Sequence, residues 1–99
     1  MMATWLYILR PPRQTFSDDM TEEEREVTQA HVAYLRQLLD DGKLVLAGPS
    51  LSPLFGIVVL DADDEDEARR IASADPFVSS GLQTAELSPF RVSFLRGRD

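Results

Sequence analysis

Apolar positions occur along this chain in two kinds of run. Trp5, Leu6, Tyr7, Ile8 and Leu9 are β-formers in unbroken succession, which predicts a strand over Thr4 to Arg10 with both faces covered. Pro11-Pro12 ends it, and Arg13 to Met20 reads as a polar loop. From Thr21 to Asp41 the spacing changes to that of a helix, with Val27, Ala30, Tyr34, Leu35, Leu38 and Leu39 on one stripe. Thr21 and Glu24 have the spacing of a capping box, and Gly42 suits the left-handed residue after the last turn. Lys43 to Ala47 predicts a second strand, stopped by Gly48-Pro49-Ser50. Leu51-Ser52-Pro53-Leu54 then makes a hairpin into a third strand, Phe55 to Leu60, apolar on both faces. The acidic run Asp61 to Glu67 reads as a helix start, with Asp63 or Asp64 as cap and the remaining carboxylates at the positive end of the dipole. Ala68, Ile71 and Ala72 give its buried face, and it stops before Pro76. Asp75-Pro76-Phe77-Val78 begins a separate single turn that Gly81 ends. Leu82 to Leu95 predicts a longer fourth strand, interrupted at Ser88-Pro89, and Arg96 to Asp99 a tail.

The order strand, helix, strand, strand, helix, strand is the ferredoxin-like βαββαβ plan: an α+β fold with a four-stranded antiparallel sheet and two helices on one face. The other face is apolar as well, so a homodimer through that open face is expected. Ninety-nine residues make a single domain with a modest core.

Composition narrows the partners. Lys+Arg number 10 against 17 Asp+Glu, a net charge of −7, which argues against nucleic acid. There is no cysteine, so disulfides and thiolate chemistry are excluded. The N-terminal apolar run is too short for a membrane span or a signal peptide, and a cytoplasmic protein without a membrane partner is expected.

The one histidine, His31, falls inside the helical stripe. It reads either as a core-edge imidazole bonded to backbone or as a general acid/base near neutrality. Asp75 caps the turn at Pro76, and its second oxygen is free to orient an imidazole. Metal ligands beyond His31 are carboxylates of an acidic first turn without EF-hand spacing, so no metal is expected. No serine stands in a nucleophile motif. Arg10 and Arg13 flank the prolines, read either as anion-binding groups or as solvated loop residues. Tyr7 and Tyr34 read either as pocket hydroxyls or as core.

These residues carry a resemblance. His31-Val32-Ala33-Tyr34-Leu35, Asp41-Gly42-Lys43-Leu44 with Ala47-Gly48-Pro49, Glu67-Ala68-Arg69, Ala74-Asp75-Pro76-Phe77-Val78 with Gly81-Leu82, and Pro89-Phe90 together resemble the YciI-like (YCII-domain) family from the first strand to Phe94. The resemblance implies one such domain over residues 1–99, with core 4–95, paired into a dimeric α+β barrel. It implies an active site on a histidine and an aspartate, here His31 and Asp75. Some members resemble cofactor-independent lyases acting on chlorinated hydroxyquinols, so no cofactor is expected. Tyr7, Arg10, Gly48, Pro49 and Phe77 are the candidates for binding a small-molecule substrate. Two functions stay open: a lyase or isomerase with His31 as proton shuttle, and a small-molecule-binding or interaction module without catalysis.

Overall fold

Strand β1 (Ala3–Arg10) alternates in burial, with Trp5, Tyr7 and Leu9 packed under helices and Leu6 and Ile8 half-buried on the other face. The computed structural model describes residues 3–97. The extreme N-terminus and the last two positions of the tail lie outside the described residues. After the prolines comes a feature that the polar-loop reading missed, the one-turn helix α1 (Phe16–Asp19), whose Phe16 is buried. Gln14 fixes this stretch, its carboxamide bonding both the N–H and the carbonyl of Leu54.

Helix α2 (Glu22–Asp40) begins as its sequence dictates. Thr21 Oγ1 accepts the Glu24 N–H and Glu24 Oε1 accepts the Thr21 N–H, the reciprocal capping box. Gly42, at φ 76°, follows its end. The inner face carries Val27, His31, Tyr34, Leu35 and Leu38, but Ala30 and Leu39 of the expected stripe point outward. Strand β2 (Leu44–Leu51) runs past the expected stop at Gly48-Pro49-Ser50. It lies at the sheet edge, where a residue without an N–H is tolerated, and Pro49 stands opposite Gly56. Ser52 and Pro53, joined by a cis peptide bond, turn it into β3 (Leu54–Ala62). Asp64 caps α3 (Glu65–Ala74) by accepting the Glu67 N–H, and α4 (Pro76–Ser79) follows directly.

Strand β4 (Thr84–Pro89) ends well short of the expected Leu95. At its end Trp5 faces Pro89, which has no N–H to donate, and the Phe90 N–H makes one more bond to the Thr4 carbonyl. The sheet order is β2-β3-β1-β4, all antiparallel, with α2 and α3 on one face. This is the ferredoxin-like α+β fold. Tyr7, Val58, Leu60, Ala68 and Phe77 form the middle of the core between sheet and helices. Leu6, Ile8, Ile57 and Val59 share the opposite face, since each pairs across strands with another of the set. Among the described residues no helix is long and apolar enough to cross a membrane.

Candidate active site

Asp75 stands where α3 gives way to α4. Proline at position 76 forces an extended backbone on the residue before it, and Asp75 adopts φ −58° and ψ 127°. Its carboxylate then turns back over the new helix and accepts the Phe77 N–H on Oδ1 at 2.9 Å. This carboxylate has no exposed surface (0%). A buried carboxylate needs donors. Asp75 has two more: the Tyr7 hydroxyl donates to Oδ2 at 2.8 Å, and His31 Nδ1 lies 2.7 Å from Oδ1. Burial, together with the adjacent Asp75 charge and hydrogen bond, pushes the Tyr7 phenol far above the usual tyrosine range, so Tyr7 stays a donor.

His31 projects from the middle of α2 with its side chain 12% exposed. With a carboxylate on Nδ1, the hydrogen-bond network assigns the ring proton to that nitrogen in the neutral form and leaves Nε2 unprotonated. Nε2 has no partner among the described residues. Phe77 stacks on the imidazole, with ring centres 4.0 Å apart and planes at 26°, and Phe16 meets Phe77 edge-on at 6.0 Å. The ring is thus fixed by one hydrogen bond and one aromatic face. Tyr34, one turn further along α2, is held differently: its hydroxyl donates to the Ile71 carbonyl and ties α2 to α3. Burial first, then the Asp75 charge, raises the Tyr34 phenol as well.

His31 stands at the wall of a cavity of about 340 Å³ between α2 and the sheet. The space exists because the sheet is built from small residues beneath α2. Ala47 and Gly48 come from β2 and Gly56 from β3, and a Cβ on Gly56 would stand 3.3 Å from Leu9 Cβ. Leu9, Val58 and Pro49 extend the floor, Val32 and Leu35 the helical wall, and Phe16 and Met20 close one end. Phe77 and Gln83 complete it beside His31. No Lys, Arg, Asp or Glu is among the residues that line it.

Of the residues named from sequence, His31, Gly48, Pro49 and Phe77 therefore border one space, with Asp75 bonded behind His31. Tyr7 and Arg10 do not reach it. Tyr7 (0% exposed) lies in the core below Asp75. Arg10 alternates onto the other face from Leu9, where Nε donates to Glu86 Oε2 at 2.9 Å. Arg13 keeps a third of its side chain in solvent and does not reach the cavity either; it clamps Asp19 and both oxygens of Glu24. Phe16, Met20, Gly56 and Gln83 had not been singled out. Phe16 carried a faint signal, a lone aromatic in a polar stretch, and Gln83 carried none. Among the described residues no group of three or more His, Asp or Glu gathers in the manner of a metal site.

Residues 4–91 match the sequence profile of the YCII-related domain. The chain belongs to the YCII-related family. Its relatives include the uncharacterized protein YjpA of Bacillus subtilis, 35% identical over 77 residues that cover 74% of this chain and 91% of YjpA. Protein YciI of Escherichia coli is 31% identical over 87 residues, covering 77% of this chain and 89% of YciI. The same fold recurs in a solved structure of distant sequence, 5-chloro-2-hydroxyhydroquinone dehydrochlorinase (TftG) from Burkholderia phenoliruptrix, in complex with 2,5-dihydroxybenzoquinone. That match has a TM-score of 0.64 and 21% identity, and covers 88% of this chain and 93% of that one.

Proposed function

We propose that this YCII-related protein is a cofactor-independent lyase or isomerase of small ring-sized molecules, with His31 as proton shuttle and Asp75 as the residue that orients it. The observation that carries the reading is the 2.7 Å contact between His31 Nδ1 and Asp75 Oδ1 at the wall of an apolar cavity. Asp75 holds the Nδ1–H tautomer, so Nε2 is the basic atom. When Nε2 takes a proton, the buried carboxylate stabilises the imidazolium that forms. Phe77 stacks on the ring, and the largely apolar walls give the transfer a less polar setting than bulk water. In an elimination, the halogen-bearing ring carbon first gains a proton as one hydroxyl passes to its keto form; Nε2 then takes the proton of a second hydroxyl, that O–H pair closes a carbonyl through the ring, and the halide leaves with the carbon–halogen pair. In an isomerisation the same proton would be returned at another atom.

The reading extends to the assembly. Leu6, Ile8 and Ile57 stay half-buried on the sheet face opposite the helices, beside Val59, which is already covered within the chain, and we propose that a second copy of the chain covers this face.

The test uses 5-chloro-2-hydroxyhydroquinone, the compound in the neighbour's name, as probe. The wild type should bind it and release chloride faster than buffer does. His31→Ala should lose the acid/base contribution, ~10²–10⁴-fold in rate, while staying folded. Asp75→Asn keeps an acceptor for the Phe77 N–H but removes the charge, so its rate should fall toward that of His31→Ala. Equal rates for wild type and His31→Ala would overturn the reading. Binding without chloride release would leave a ligand-binding module with no chemistry.

A further inference from the structure

The histidine–aspartate pair leaves one polar side chain of the cavity without a role. Gln83 lines the cavity and is only 7% exposed, yet its carboxamide has no hydrogen-bond partner among the described residues. Its position is tightly determined. Gly81, at φ 80°, turns the chain out of α4, and the Gln83 N–H donates to the Phe77 carbonyl at 2.8 Å. Phe77 in turn stacks on His31. The backbone of Gln83 is thus anchored beside the residue that stacks on the imidazole, and its side chain lines the cavity.

Its polar atoms stay open to the cavity rather than sealed in the core, and an occupant that fills the cavity would have to replace the water they meet there or leave a carboxamide unpaired. The other polar groups of the wall are engaged or peripheral. The Thr28 hydroxyl donates to the Glu24 carbonyl at 2.8 Å, and Ser17 is exposed. His31 Nε2 and the Gln83 carboxamide are the two unengaged polar groups in the buried part of the wall. One is an acceptor in the neutral ring, and the other both donates and accepts. With no lysine or arginine on the lining, a carboxylate or phosphate would enter without a counter-charge.

We propose that Gln83 is a substrate-binding residue. Its carboxamide hydrogen-bonds a hydroxyl or carbonyl oxygen of an uncharged ring-sized ligand and so sets which edge of the ring meets His31 Nε2. This rests on the reading of the cavity as a substrate site, and names the ligand class that the site takes.

The probes are para-fluorophenol, at a pH where it is protonated, and para-fluorotoluene, the same ring with a methyl in place of the hydroxyl. Fluorine NMR titration gives both affinities for the wild type, Gln83→Leu and Gln83→Met, with backbone amide spectra checking the fold. The wild type should favour the phenol. Both variants should lose roughly threefold to tenfold of that preference, the worth of one hydrogen bond, with toluene binding undiminished. In the wild type the Gln83 side-chain amide resonances should shift with the phenol and not with the toluene, a readout that requires no variant. A phenol preference unchanged in both variants, or a Gln83 amide signal indifferent to the phenol, would overturn the role of Gln83 while leaving the cavity a binding site. Failure of both rings to bind the wild type would overturn the cavity reading and this assignment together.

Discussion

Tyr7 shows how a residue supports a site that it does not touch. Its phenol is sealed in the core and donates to Asp75 Oδ2, and Asp75 in turn holds His31. Tyr7→Phe keeps the shape and removes the donor. Asp75 Oδ2 then lies buried without a partner, and stability should fall by about 1–3 kcal/mol, read from urea unfolding. An unchanged midpoint would mean that Oδ2 finds another donor. The geometry also shows what a sequence reveals at this scale. His31 was legible because helical spacing sets which way a side chain faces, and Asp75 because proline at the next position makes it a cap. For Tyr7 and Arg10 the residue type suggested the chemistry but not the direction. They lie three residues apart in one strand and so take opposite faces: Tyr7 shares the face of the cavity-lining Leu9 but sits in the core below Asp75, and Arg10 points to the other side of the sheet. Gln83 falls at the start of the expected fourth strand with nothing in the pattern to mark it, and only the packing reveals it.

At the scale of elements, the regular ones were readable and the irregular ones were not. Helix α2 announced its own start, because Thr21 and Glu24 satisfy each other locally. Helix α1 did not, since one apolar residue, Phe16, gives no period, and what holds the turn is Arg13 reaching Asp19 and Glu24 across the chain. Pro49 looked like a stop and is not one, because strand order decides whether a missing N–H matters. The residues after Pro89 alternate in sequence as a strand would, yet β4 ends at Pro89, a residue with no N–H to give to the ladder. The Arg13 clamp makes α2 sensitive to acid. The Arg13 guanidinium, followed by the Thr21 N–H, holds the Glu24 carboxyl down to about 2, from a reference of 4.5. A lowered folded-state value means that the stabilisation is complete above pH 4.5 and is lost as pH falls toward 2. Carbon NMR of the Glu24 carboxyl should show that low midpoint, and Arg13→Ala should move it upward. A midpoint indifferent to Arg13 would remove the clamp from the account.

For the whole molecule, the two sheet faces set the expected assembly. Ile8 stands at the centre of the helix-free face, between Ile57 on β3 and Glu86 on β4. Ile8→Lys places a charge that water can solvate in a single copy but that a second sheet would have to bury. Sedimentation should show the wild type as a dimer at micromolar concentration and Ile8→Lys as a folded monomer. A wild type that sediments as a monomer would remove the dimer from the reading. The strand order has a mechanical consequence as well. The start of β1 stands beside the end of β4, Trp5 against Pro89, and the bonds between antiparallel strands run across the strand direction. Tension between residues 4 and 90 would therefore load these bonds one at a time and unzip the pair at low force. Tension between residues 10 and 90 would load them together in shear, so the same two strands are weak in one pulling direction and strong in the other.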